Sequence, residues 1–513
     1  MLQIPSMDLS LLSFIIFTFF LFLPMVVKIV HNHKTKNSVA KCPPGPWKLP
    51  LIGNLHQLVG SLPHHSLRNL ANKYGPLMHL QLGELSNIVV SSPEIAKQVM
   101  KTHDIIFANR PYLLSAKILS YDSTNIGFSP YGEYWRQLRK ICSMELLSAK
   151  RVQSFRSARE EEVLNFTKAI RASEGSSINL SEKISSTTYS ITARAAFGKR
   201  SNDEKAFISI VKEISEVAAG FSLSDLYPSL KAFQLIGGMR HRLEKLHRKI
   251  DGILETIIED HKQKEKGVIS DGVDAEEDLV DVLLRLQKCG DLEHPLTDGN
   301  IKAVLLDIFS AGSETSSTAI EWTMSELLKN PREMEKAQAE VRRVYHGKAN
   351  VDETRLHELK FLKAVIKECL RLHPPAPLLV PRESSQSCFI DGYEIPAKTK
   401  VIVNAWAIGR DPKYWEDAER FYPDRFLNSS IDYKGADFEF IPFGAGRRIC
   451  PGIIFGTAVV ELTLAQLLFH FDWKFLTDEI KPEDLDMTEA FGLDVRRKKS
   501  LNLVPIPYQN NFC

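Results

Sequence analysis

Near the C-terminal end, Phe443-Gly444-Ala445-Gly446-Arg447-Arg448-Ile449-Cys450-Pro451-Gly452 runs straight into an apolar stretch, Ile453 to Phe471. Glycines at 444 and 446 permit tight backbone and close approach of a flat ligand. Pro451 has no N–H and suits the first turn of the helix that the apolar stretch continues. One thiol is thereby offered at a helix N-terminus, where the dipole and free N–H groups favour thiolate. A chain built this way must place a long buried helix behind Cys450 and leave a space in front of it.

The other cysteines do not change that reading. Cys42, Cys142, Cys289, Cys369, Cys388 and Cys513 bring the total to seven, with no CxxC pair. The odd count and irregular spacing speak against a disulfide framework or a zinc site. Cys142, Cys289 and Cys369 read as small buried hydrophobes. A net charge of +2 leaves nothing that calls for nucleic acid.

Periodicity makes the chain mainly α with a minor β-sheet region. Short strands are expected at Leu77–Leu82, Ile88–Val90 and Val401–Asn404, and helices dominate from Trp135 onward, broken at Asn330-Pro331 and His373-Pro374-Pro375. Ile269 to Glu277 reads as a surface loop. One helix opens at Thr297, a plausible N-cap, and closes at Asn330-Pro331, so it crosses the whole body at about 48 Å. It contains Ala311-Gly312-Ser313-Glu314-Thr315-Ser316, small residues around a threonine able to bond back to a carbonyl and open a polar notch. Trp135 and Arg139 stand four apart on one helix face. Glu368 and Arg371 stand three apart; alone they would be an exposed pair contributing at most about 1 kcal/mol.

Together these segments resemble the cytochrome P450 family. Phe443, Gly446, Arg448, Cys450 and Gly452 fill its F-x-x-G-x-R-x-C-x-G haem signature. The resemblance implies the cytochrome P450 fold and haem b, with iron held by Cys450 and propionates met by Trp135, Arg139, Arg382 and Arg448. It implies that Thr315 and Glu314 deliver protons during oxygen activation. It implies that Glu368 and Arg371 lock onto Arg425, in Tyr422-Pro423-Asp424-Arg425-Phe426, where Asp424 replaces the usual glutamate. The motifs run in family order along nearly the whole chain, so residues 55–513 are expected to be one catalytic domain.

Leu9 to Val27 carries no charge, long enough to span a bilayer that needs about 20 residues. Asp8 precedes it, and Lys28, Lys34, Lys36 and Lys41 follow. This basic flank places the body in the cytosol. Residues 1–30 thus read as a luminal tip and transmembrane anchor, and 31–54 as a basic, proline-rich hinge. With a cytosolic body, the sequons at Asn165, Asn179 and Asn428 stay unmodified. No Gly-rich dinucleotide motif is present, so electrons must come from outside. The resemblance implies a single-pass protein of the endoplasmic reticulum membrane, served by NADPH–cytochrome P450 reductase, with cytochrome b5 as a further electron donor. Arg136, Lys140 and Arg447 are candidates to steer that partner.

A lipophilic substrate is expected against Val304, Ile308, Ala311, Ala376, Leu379, Val380 and Phe491. The chain looks like plant microsomal members of the specialised-metabolism clan, which points to a sesqui- or diterpenoid, with an indole alkaloid or phenolic second. An electron-independent haem-thiolate isomerase or dehydratase is the alternative of another class; those relatives lack the oxygen-pocket threonine.

Overall fold

A computed structural model describes residues 42–198, 204–217, 222–229, 238–267, 277–477 and 481–508. The anchor expected at 1–30, the first part of the hinge, most of the loop expected at 269–277, Cys513 and Phe221 lie outside the described residues.

Helices dominate, as the periodicity predicts. The elements that position the site are α1 (Pro63–Tyr74), α2 (Glu133–Ile141), α3 (Leu180–Phe197), α4 (Glu204–Val217), α5 (Leu279–Cys289), α6 (Asp298–Lys329), α7 (Pro331–Val344), α8 (Lys360–Leu372) and α9 (Ile453–His470). A four-stranded sheet lies to one side, built from β1 (Leu77–Leu82), β2 (Leu85–Val90), β3 (Arg382–Glu383) and β4 (Lys400–Val403). Its order is β1-β2-β4-β3, with β2 and β4 parallel and the other pairs antiparallel.

Helix α6 is the axis of the molecule. Thr297 caps it, its hydroxyl accepting from Asn300 N–H while the Asn300 side chain accepts from Thr297 N–H. Pro331 opens α7, so the chain turns at Asn330 as expected. Nearly all of α6 is buried, packed on α3 and α9. Helix α9 is long and apolar enough to cross a bilayer, but two thirds of it is buried inside the body, which marks it as core.

Two details depart from the sequence reading. Pro451 sits before the helix, and Gly452 is the N-cap of α9. Cys289 is exposed, because it is the last residue of α5 and stands beside the left-handed Gly290 that ends it; Cys142 and Cys369 are buried as expected. The proline-rich segment from Pro43 is fastened to the body. His79 N–H on β1 donates to the Pro44 carbonyl at 2.8 Å, and Asn54 ties Pro46 and Trp47 to Gln81.

Candidate active site

The Cys450 loop is held by its own backbone. Cys450 N–H donates to the Phe443 carbonyl at 3.0 Å, closing the turn. Gly446 has φ +68°, and a Cβ there would stand 2.0 Å from the Met100 carbonyl oxygen, so only glycine fits. Burial pushes the Cys450 thiol up, while the Gly452 N–H and the nearby Arg139 pull it down. Phe443 packs edge-on to Tyr433 beneath the loop.

The oxygen-notch segment of α6 lies against the start of α9. A Cβ on Gly312 would meet Phe455 at 3.6 Å, and one on Gly456 would meet Ser316 Oγ at 3.7 Å. The tighter approach at Gly312 is to α3, where a Cβ would meet Thr192 Cγ2 at 3.2 Å. Thr315 Oγ1 donates to the Ala311 carbonyl at 2.7 Å, the back-bond the sequence suggested. Ala311 is accessible and Thr315 half-buried on a helix otherwise closed by packing. Glu314 is buried on another face of the helix. Burial, with Asp494 beside it, pushes its carboxyl up to about 7, while Lys212 and Arg496 pull it down. Those partners come from α4 and from the turn after Phe491.

Next to the Cys450 loop lies an excess of positive charge. Arg382 donates to the Ala445 carbonyl at 2.8 Å and pairs with Asp104 at 3.3 Å. Arg448 donates to the carbonyls of Ala108, Ile126 and Ser129 and lies 4.1 Å above the Trp135 ring. Trp135 gives its indole N–H to the Ile126 carbonyl at 3.1 Å, so in this arrangement it seats Arg448. Arg139 is half-buried and feels the Cys450 sulfur. A fourth cation, Arg110, escaped the sequence reading; it donates to Gly127, Val380 and Pro381 carbonyls and is buried beside Arg448 and Arg382. Burial and repulsion from Arg382 and Arg139 hold Arg448 down at about 9. Such crowding of buried guanidinium groups is costly unless anions join them. A porphyrin with two carboxylates, placed over a thiol donor, answers both the charge and the sulfur. The residues present therefore fit haem.

Glu368, Arg371 and Arg425 do meet. Arg371 makes a two-pronged pair with Glu368 at 2.8 and 2.7 Å, and donates to the carbonyls of Gly409, Ala418 and Arg420. Arg425 Nε donates to Glu368 at 3.1 Å. Glu368 and Arg371 are fully buried, so the exposed-pair reading does not apply. Asp424, the departure from the family pattern, turns away and pairs with Lys336 at 2.8 Å.

An apolar cleft, with about 640 Å³ of empty space counted out to its open mouth, has among its walls Leu379, a neighbour of the Cys450 loop. Leu113, Phe128, Leu378, Leu379, Phe491 and Val495 are among its walls. Leu379 has φ +51°, a strained position for leucine, and its Cδ1 would touch a Cβ on Gly444 at 3.8 Å. Leu379 thus joins the cleft to the loop. Of the substrate residues read from the sequence, Leu379 and Phe491 line this cleft; Val304 and Ile308 are buried in the main core, and Ala376 and Val380 are half-buried nearby in sequence.

Comparison with known proteins agrees with this architecture. The cytochrome P450 family model matches residues 43–500. Cytochrome P450 71D10 of Glycine max is 58% identical over 497 residues, covering 96% of both chains. Tabersonine 16-hydroxylase 2 of Catharanthus roseus is 53% identical, and premnaspirodiene oxygenase of Hyoscyamus muticus 52%, each covering 98% of both chains. A zebra fish cytochrome P450 solved with progesterone superposes with a TM-score of 0.74 at 26% identity, covering 88% of this chain and 100% of that one. A thiol on a glycine-built turn, a back-bonded threonine on the long helix that packs against the helix following that turn, a cluster of buried arginines and a locked Glu–Arg pair occur here in one body; the chain belongs to the cytochrome P450 family, monooxygenases whose cofactor is cysteine-ligated haem.

Proposed function

We propose that this enzyme hydroxylates a lipophilic plant specialised metabolite, a sesqui- or diterpenoid hydrocarbon skeleton first, with Cys450 as the iron ligand. The observation that carries the reading is the apolar cleft, one of whose wall residues, Leu379, neighbours Gly444 of the Cys450 loop. Leucine, phenylalanine and valine dominate the walls, with His64 and Lys400 among the polar members, and a mostly apolar lining of this kind suits a hydrocarbon skeleton. The names of the Hyoscyamus and Catharanthus relatives support a terpenoid and an indole alkaloid respectively; the scarcity of polar groups in the cleft favours the terpenoid.

Haem, when bound, supplies reductive activation of dioxygen with electrons from NADPH. The chain supplies the rest. Arg139, Arg382 and Arg448 hold the propionates. Thr315 presents a hydroxyl on the accessible face of α6, and Glu314 brings protons from the side of Lys212 and Arg496. The acid and the alcohol would serve no purpose in an isomerase, which needs no proton delivery to oxygen. The partner is NADPH–cytochrome P450 reductase, with cytochrome b5 as an auxiliary donor. Arg136, Lys140 and Arg447 are all exposed, which leaves them open to an acidic partner. The setting is the endoplasmic reticulum membrane, with the body in the cytosol.

The test is a reductase-supplemented microsomal preparation challenged with a panel of plant terpenes and alkaloids. Oxygenated terpenes that require NADPH are the expected result. A preparation with an intact thiolate spectrum that oxidises only alkaloids would overturn the terpenoid assignment.

Two variants probe the proton path. Thr315→Ala is expected to keep NADPH consumption while product per NADPH falls about a hundredfold, the lower end of the general acid–base range; peroxide assays read the difference. Unchanged coupling would remove the threonine from the path. Glu314 has its carboxyl raised from 4.5 to about 7, so it is protonated below that pH and charged above it. Coupling should therefore decline as pH rises through about 7, and Glu314→Gln should give a lower, flat profile. A variant profile that keeps the limb near 7 assigns it to another group.

A further inference from the structure

Away from the haem-side cluster, α1 and the turn that follows Thr488 are joined by three side chains with metal-ligand chemistry. His64 Nε2 lies 3.0 Å and His65 Nε2 2.8 Å from the same oxygen, Glu489 Oε2. All three ligand atoms fall within 4.8 Å of one another. We propose that His64, His65 and Glu489 bind a divalent transition-metal cation such as Zn²⁺, and that the ion clasps shut one side of the substrate cleft.

The geometry is close to what such an ion requires. With bonds of about 2.0 Å, a tetrahedral zinc separates neighbouring ligand atoms by about 3.3 Å. The two histidine–glutamate edges, 3.0 and 2.8 Å, need to open by only a few tenths of an ångström, and the histidine nitrogens lie within 4.8 Å of each other. Two imidazoles and one carboxylate leave a fourth position for water, and imidazole selects zinc-like ions over magnesium or calcium. The rings are already oriented. Trp406 stacks on His65 at 4.4 Å and meets His64 edge-on at 5.0 Å. Two cations lie over Trp406, Arg410 and Arg68, but both pair with Glu419 at 2.6 Å and neither is bonded to Glu489. The His65 side chain is 38% exposed and gives an ion its way in, while His64 and Glu489 are 2% and 10% exposed.

The site joins two segments that line the cleft. Pro63 and His64 come from one, and Phe491, Gly492 and Leu493, two to four residues beyond Glu489, come from the other. An ion held by His64, His65 and Glu489 would tie these segments together where hydrogen bonds now allow them to part. This clasp rests on the reading of the cleft as the path to haem; the metal site itself does not.

The test uses the full-length, haem-loaded protein. Zn²⁺ is titrated against a chromogenic chelator, and entry of 4-phenylimidazole is followed by its shift of the haem band. Wild type is expected to hold one Zn²⁺ per chain and to admit the azole several-fold more slowly when loaded. His65→Gln and Glu489→Gln should bind Zn²⁺ at least about tenfold more weakly, within the usual effect of disturbing a metal site, and lose the slowing. Their carbon monoxide spectra report that the fold is intact. No zinc bound by wild type, or equal affinity in both variants, would overturn the site. Zinc bound as expected with unchanged azole entry keeps the site and overturns the clasp. No azole shift even without zinc would count against the haem reading and leave the titration standing.

Discussion

Cys450→Ala yields a protein with no thiolate-type carbon monoxide spectrum and no NADPH-dependent product. The expectation follows from the scarcity of substitutes. Cys142 and Cys369 are buried in apolar packing, which holds their thiols far above the usual range. Cys388 is buried in a short strand paired with Ile395, and Cys289 is on the surface. None shares the glycine-built turn, the Gly452 N–H or the neighbouring Arg139 that Cys450 has. The arginine cluster survives the substitution, so porphyrin can still be drawn in by its propionates. A coloured protein with altered ligation is therefore the expected form. Absorbance of the reduced, carbon monoxide-treated variant reads the ligand directly. A thiolate band persisting in that sample would move the iron to another sulfur.

Much of this site was legible because its chemistry sits on strongly marked elements. Thr297 and Asn330-Pro331 bound α6 because caps and prolines act locally. Leu77–Leu82 alternates well enough to fix a strand and its limits. The Cys450 turn is written in glycines whose positive φ has no other common cause. What spacing alone does not show depends on long-range contact. The resemblance implies that Glu368 and Arg371 lock onto Arg425, yet by spacing they look like any helical surface pair, and only the surrounding carbonyls of Gly409, Ala418 and Arg420 make them core. Asp104 and Arg110 flank the haem-side cluster, yet neither lies in a motif; an arginine in the apolar run Phe107-Ala108-Asn109-Arg110-Pro111 was the available signal. Lys212, Asp494 and Arg496 converge on Glu314 from distant segments. The mouth of the cleft is built by Leu62, Pro63 and His64, more than 300 residues before the turn at Phe491 that faces them. Val304 and Ile308 satisfy the expectation of apolar residues on α6 and are buried, and burial alone does not say which side of a helix faces a cavity.

Arg371→Ala is expected to prevent accumulation of haem-loaded protein altogether. In the native chain all five guanidinium N–H groups are used, two on Glu368 and three on backbone carbonyls. Truncation strands the Glu368 carboxylate and those three carbonyls in a place without water. Arg425 and the Tyr422 N–H still reach Glu368, but from one side only. Breaking a buried pair of this kind costs about 3–5 kcal/mol, against a total stability of about 5–15 kcal/mol for a typical domain. Segments 409–425 lead into the Cys450 loop, so what is lost first is the support of the haem-binding turn. Arg371→Lys separates charge from geometry. Lysine restores the positive charge but offers three donors from one nitrogen, and cannot span both oxygens of Glu368 and three carbonyls at once. It should therefore fail nearly as badly as alanine. Spectroscopic haem content per unit of expressed protein, compared for wild type and both variants, decides the matter. Near-native haem loading in the lysine variant would mean that charge alone holds the loop, and that the fork of bonds to Gly409, Ala418 and Arg420 is dispensable.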